Sequence, residues 1–189
     1  MAREKKPEAD SSQNYRRPSE RTARFILGVT GWVKDIFTST TITSPRGQVF
    51  QHRGDSLPPG RELRYRQILL VEDNLEVARE FVDAINRYYA YGAVRIFAAY
   101  AYDAAASFFD NEYIDLVIMD LDLDDEDGDG LLLTRRFLAK RPELTILANS
   151  SSVISNRKLT GSGAAGVLEK KTEKLGGWLL EHDPIGAAG

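Results

Sequence analysis

Apolar and polar residues follow two periods along this chain. From Gln67 onward, short apolar runs at Ile68–Val71, Val94–Ala98, Leu116–Met119, Thr145–Ala148 and Gly166–Leu168 are separated by stretches with apolar residues at helical spacing. Short runs that are apolar throughout predict strands covered on both faces. The stretches between them predict helices. The first runs from about Leu75, with Ala78, Phe81, Val82, Ile85 and Tyr89 on one face. Others follow at Ala104–Phe109, Leu131–Leu138, a short one near Ile154–Leu159 and a last near Trp178. Five strands alternating with five helices imply right-handed crossovers, hence an α/β fold with a doubly wound, five-stranded parallel sheet. A site in such a sheet lies outside the carboxyl ends of the strands. The last helix is expected to break at Gly176-Gly177 and to end near Pro184.

The pattern before Gln67 differs. Residues 1–18 are polar, contain proline and nearly lack large apolar groups, which predicts disorder. Within residues 19–38, Ser19 is placed to cap an amphipathic helix over about 20–37. Its Phe25, Ile26, Val29, Trp32, Val33, Ile36 and Phe37 fall within an arc of about 140°. Residues 39–66, Thr-rich and then Arg/Gly/Pro-rich, predict a linker with a short strand around Thr41 to Phe50. The folded domain spans 67–182, and 183–189 are expected to form a flexible tail.

Composition narrows the class. The 189 residues are 42% hydrophobic and 28% charged, as in a soluble globular protein. Cysteine is absent, which excludes disulfides, thiolate metal sites and thiol nucleophiles. No apolar stretch approaches the ~20 residues of a membrane span, and the N-terminus does not read as a secretory signal. A cytoplasmic location is therefore expected. The net charge of −3 divides unevenly: residues 1–66 carry 13 Lys/Arg against 7 Asp/Glu (+6), and residues 67–189 carry 12 against 21 (−9).

Chemistry concentrates at the predicted strand ends. Asp120 ends Leu116–Met119, and Glu72 and Asp73 follow Ile68–Val71. A carboxylate at the tip of a buried strand costs desolvation unless a cation or solvent meets it. Three of them suggest a site for a hard divalent cation with oxygen ligands. Ser150 follows the fourth strand and Lys170 the fifth. A carboxylate nucleophile, an acidic pair, a hydroxyl and an ammonium suit phosphoryl transfer to aspartate.

These residues, in this order and each at a strand end, resemble the receiver domain of two-component response regulators over residues 67–182. The resemblance implies a flavodoxin-like fold of strand order 2-1-3-4-5, carrying here an N-terminal helical extension. It implies Mg²⁺ as cofactor and a sensor histidine kinase or phosphotransfer protein as phosphodonor. By motif position Asp120 is the phosphoacceptor, and Glu72 and Asp73 are the acidic pair that holds Mg²⁺. Asp122 contributes its backbone carbonyl to the metal, Ser150 is the switch hydroxyl and Lys170 the phosphate-binding lysine. Ser151 and Ser152 leave open which serine is the switch. The protein is then a phosphorylated signalling module, not a turnover enzyme, with output through an unidentified downstream protein.

The chain departs from the family pattern in places. Lys171 stands where proline is usual, and Val167 where an aromatic switch residue is common. The fourth helix is short. Asp122, Asp124, Asp125, Glu126, Asp127 and Asp129 crowd the loop after Asp120, and their repulsion is expected to raise carboxylate pKa values there.

Rival readings remain. Asp120-Leu-Asp122 also resembles the first motif of haloacid-dehalogenase-type phosphatases, but Glu72-Asp73 would go unexplained and a downstream acidic motif is wanting. Asp125-Glu-Asp127-Gly-Asp129-Gly130 opens like a calcium loop, yet position twelve is Arg136 where a bidentate glutamate is required. A receiver-like binding scaffold that is never phosphorylated is the third alternative. No DNA-binding domain is expected. Helix 20–37 is expected to pack on the receiver or on a second copy in a homodimer; binding another protein ranks next and membrane contact third.

Overall fold

The computed structural model describes residues 39–44 and 46–184. The expected disordered stretch 1–18, the helix over 20–37 and the dimer through it lie outside the described residues. From Gln67 the chain forms β3 (Gln67–Val71), α1 (Leu75–Tyr88), β4 (Ala93–Ala99), α2 (Tyr102–Asn111), β5 (Leu116–Met119), α3 (Gly130–Lys140), β6 (Thr145–Ala148), α4 (Val153–Gly161), β7 (Gly166–Val167) and α5 (Thr172–His182). Strands β3 to β7 are parallel in the order β4-β3-β5-β6-β7, which is 2-1-3-4-5 counted from Gln67.

Alternation along each strand fills both faces of this sheet. Leu69, Val71, Val117, Met119, Ile146 and Ala148 face one cluster, closed by Ala105 and Phe109 of α2, Leu133 and Phe137 of α3 and Leu159 of α4. Ile68, Leu70, Leu116, Ile118 and Leu147 face the other, closed by Phe81 and Ile85 of α1 and Leu175 and Leu179 of α5. Side chains of successive strand residues point to opposite faces, so the inner positions of the central strands, Ile68–Val71, Leu116–Met119 and Ile146–Ala148, are apolar throughout.

The stretch read as a linker does more than connect. Residues 39–53 form β1 (Ser39–Ser44) and β2 (Gly47–Arg53), an antiparallel hairpin. β2 pairs antiparallel with β4 over seven residue pairs, from Gly47↔Ala99 to Arg53↔Ala93, which makes a seven-stranded sheet. Val49 and Phe50 are buried on opposite faces, one in each cluster, so β2 is an integral strand of the core.

Two expectations for the C-terminal end are corrected. α5 runs unbroken through Gly176-Gly177. A glycine pair costs helix propensity, ~1 kcal/mol each, but Leu175, Trp178 and Leu179 pack on the core on either side of it. Residues 185–189 of the expected tail lie outside the described residues, but Asp183, placed in that tail by the sequence, has a buried side chain. The backbone N–H groups of Arg64 and Tyr65 (3.1 Å each) and the hydroxyl of Tyr89 (3.0 Å) all donate to its carboxylate. The Tyr88 hydroxyl donates to the Asp183 carbonyl at 3.0 Å. The end of α5 is thus tied to α1 and to the segment entering β3. Burial, then the charge of Asp183, pushes the Tyr88 hydroxyl up to about 12. Among the described residues no helix is long and apolar enough to cross a membrane.

Opposite stability effects follow. Asp183→Ala strands three donors and is expected to cost about 2 kcal/mol. A Cβ at Gly177 meets nothing within 4 Å, so Gly177→Ala is expected to add about 0.5–1 kcal/mol. Urea unfolding of the full chain checks both signs.

Candidate functional site

The carboxyl ends of β3, β5, β6 and β7 converge on one acidic pocket. Glu72 and Asp120 each follow their strand by one residue and are almost wholly buried. Glu72, Asp73 and Asp120 can each direct a carboxylate oxygen so that all lie within 4.8 Å of one another. The Lys170 ammonium bridges two of them, at 2.7 Å from Asp120 Oδ2 and 2.8 Å from Glu72 Oε1. Asp120 Oδ1 accepts from the backbone N–H of Leu121 at 2.7 Å and of Asp122 at 3.4 Å. Asp73 Oδ2 accepts from Asp124 N–H at 3.1 Å.

One ammonium between two buried carboxylates leaves an excess of negative charge. Burial, opposed by the Lys170 hydrogen bond and reinforced by the charge of Asp120, raises Glu72 to about 7. Burial also raises Asp120, against the pull of Lys170. Burial alone would lower Lys170, but hydrogen bonds to Asp120 and Glu72 outweigh it and hold the ammonium above its usual range. Glu72 Oε2 is buried with no hydrogen-bond partner among the described residues. Three carboxylates, one with a free buried oxygen, make a donor set that fits a hard divalent cation.

The loop after Asp120 corrects the electrostatic expectation. The raised carboxylates are Glu72 and Asp120, and the cause is burial. In the loop, Asp125 is lowered, first by the backbone N–H of Asp127 and further by Tyr102 N–H and Arg46. Its carboxylate accepts from Tyr102 N–H at 2.8 Å and from Arg46 at 2.6 Å. Asp125 therefore caps α2, whose own N-cap, Ala101, has no side chain to do so. Asp129 caps α3 through Leu132 N–H at 2.8 Å. Gly130 permits the turn back: a Cβ there would lie 1.8 Å from the Asp120 carbonyl oxygen.

The serine run resolves into separate tasks. Ser152 is the N-cap of α4, accepting from Ser155 N–H at 3.2 Å, and Ser151 is exposed. Ser150 is buried; its hydroxyl donates to Asp122 Oδ2 at 3.4 Å and accepts from Ser152 N–H at 3.2 Å. Ser155 donates to the same Asp122 oxygen at 3.0 Å. Asn149 carried no role in the sequence reading. It is fully buried, its Oδ1 accepts from Lys170 N–H at 3.0 Å, and its Nδ2 has no partner among the described residues. A polar residue directly after Ile-Leu-Ala was the signal for it. Glu169 and Lys170 take left-handed φ values of 57° and 54°. That turn brings the Lys170 side chain back to the acids, and strain of this kind clusters at functional sites.

The family model for the response regulator receiver domain matches residues 68–175. The chain belongs to that family. Receivers are the signalling domains of two-component response regulators. Solved receivers share the fold. A CheY-like receiver domain protein from Methanospirillum hungatei is 18% identical, with a TM-score of 0.51, over 62% of this chain and 93% of its own. The chemotaxis protein CheY4 of Vibrio cholerae is 17% identical, with a TM-score of 0.51, over 62% and 98%. A BeF3-activated DrrB receiver domain, DrrB being a Thermotoga maritima protein, is 20% identical, with a TM-score of 0.50, over 62% and 96%. No curated protein matches the chain. The receiver match, residues 68–175, does not include β1 and β2, the hairpin that widens the sheet.

A pH dependence follows from Glu72. Its folded pKa lies above the ordinary 4.5, so the fold holds a proton that the unfolded chain releases. The stability this contributes is full below about 4.5 and lost as pH rises through about 7. In metal-free protein, Glu72→Gln is expected to flatten the decline across that window, read by denaturation midpoints between the two limits.

Proposed function

We propose that this receiver accepts a phosphoryl group on Asp120 from the phosphohistidine of a sensor kinase or phosphotransfer protein, in a Mg²⁺-dependent reaction. The observation that carries this reading is the Lys170 ammonium within 2.7 Å of Asp120 at the head of a three-carboxylate pocket. An oxygen of ionised Asp120 bonds to phosphorus as the P–N bond breaks. The electron pair leaves with the imidazole, which takes up a proton, and Asp120 becomes an acyl phosphate.

Glu72, Asp73 and Asp120, with the Asp122 carbonyl, would hold Mg²⁺, which offsets charge between the carboxylates and the incoming phosphoryl oxygens. Lys170 leaves its bridge to stabilise those oxygens. A neutral donor from the end of β6 would complete the shell. The Leu121 N–H orients Asp120 through the oxygen that does not meet Lys170. Backbone and side chain thus hold the nucleophile from both sides, which is positioning rather than activation.

Output on this reading passes through contacts with another protein. A reorganised Asp120 loop moves two things: Asp125, which holds α2 and Arg46, and Asp122, which holds Ser155 of α4. A cytoplasmic setting agrees with the cysteine-free sequence.

The test is intact mass after incubation with acetyl phosphate. Wild type with Mg²⁺ is expected to gain about 80 Da, the phosphoryl increment; chelator or Asp120→Asn abolishes the gain, and Lys170→Ala reduces it at least tenfold. Continuous release of phosphate with turnover would point to the phosphatase instead. A magnesium-dependent thermal shift with no adduct from any donor would favour the unphosphorylated scaffold.

A further inference from the structure

The end of β6 carries a buried amide whose NH₂ arm has no partner among the described residues. Asn149 N–H donates to the Met119 carbonyl at 2.8 Å, continuing the β5–β6 register by one residue beyond Met119↔Ala148. Asn149 is therefore the cross-strand neighbour of Asp120. Leu70, Ile118 and Leu147 belong to one face of the sheet. Two residues further along the same three strands stand Glu72, Asp120 and Asn149, so alternation sets all three on that face.

The orientation of the amide is decided by its partner. Lys170 N–H needs an acceptor, and Asn149 Oδ1 supplies it at 3.0 Å, so Nδ2 is the other arm. That Nδ2 is buried and has no acceptor among the described residues. Fully buried amide donors without a partner are uncommon and unfavourable, and the fold keeps this one beside the residue that gains oxygens on phosphorylation. Ser150 is differently placed. It comes one residue later, its hydroxyl already donates to Asp122 and accepts from Ser152 N–H, and its backbone is clamped by Asn156 on both N–H (3.0 Å) and carbonyl (2.7 Å).

We infer that the Asn149 carboxamide, through Nδ2, is the neutral donor to the phosphoryl group on Asp120, while Ser150 ties the β6–α4 loop to Asp122. This rests on Asp120 being the phosphoacceptor. One side chain then coordinates two events: Oδ1 holds the backbone of Lys170, and Nδ2 receives the oxygens that the Lys170 ammonium also meets. With Oδ1 already accepting from Lys170 N–H, the free arm is an NH₂, which can only donate to the phosphoryl oxygens.

The experiment uses the full chain with saturating Mg²⁺ and beryllofluoride as the stand-in for a phosphoryl group on Asp120. In wild type the Asn149 side-chain NH₂ resonances, assigned by their loss in Asn149→Ala, are expected to move downfield on loading. The beryllofluoride concentration for half-maximal thermal stabilisation is expected to rise by roughly tenfold to a hundredfold in Asn149→Ala, the loss of one hydrogen bond to a charged group. The rise in Ser150→Ala is expected to be several-fold smaller. The shift produced by Mg²⁺ alone should survive in Asn149→Ala, which a role confined to placing Lys170 would not require. Unmoved NH₂ resonances in loaded wild type, or a greater loss in Ser150→Ala than in Asn149→Ala, would overturn the inference and leave Asp120 as phosphoacceptor. Wild type that takes up neither beryllofluoride nor an adduct would overturn the Asp120 reading, and this inference with it.

Discussion

A single ammonium, Lys170 Nζ, lies between the buried carboxylates of Glu72 and Asp120, and the arrangement of the strand ends depends on it. Two carboxylates at the tips of adjacent apolar strands would repel one another in a poorly solvated setting. The lysine offsets that repulsion in part, yet burial, reinforced by the charge of Asp120, still holds Glu72 raised. An incompletely neutralised set of carboxylate oxygens is a donor set that suits a hard divalent cation. To reach it, the chain after β7 turns left-handed at Glu169 and Lys170 and is held there by Asn149. The conformational cost of that turn is local, and the ion pair it permits spans 98 residues of sequence.

The acidic loop shows how like residues can do unlike work. Asp122 gathers two serine hydroxyls, Asp125 caps α2 and binds Arg46, and Asp129 caps α3. A cluster that reads as one electrostatic feature is a set of separate backbone attachments. Through Arg46, which also pairs with Asp103 at 3.0 Å, the β1–β2 turn is fastened to the segment that follows Asp120. The strands added before the receiver are thereby joined both to the edge of its sheet and to its pocket loop.

Much of this architecture was legible in the sequence, and so was the grouping of charged residues at the strand ends. Apolar runs of four or five residues encode strands because both faces of a parallel sheet must be covered, and that requirement is met residue by residue. Acids and a lysine placed immediately after such runs must emerge at the strand ends, so Glu72, Asp73, Asp120 and Lys170 could be grouped before any coordinates. What the tertiary structure decided depends on partners distant in sequence. β2 becomes a core strand only by pairing with β4, and Asp183 becomes an anchor only because Arg64 and Tyr65, 118 residues away in the latter case, present their N–H groups to it. α5 persists through two glycines because packing at Leu175 and Leu179 outweighs local propensity. The different partners of Asn149 and Ser150 have the same origin: the two are adjacent in sequence, and what each meets, the Lys170 backbone or the Asp122 carboxylate, is brought close only by the fold.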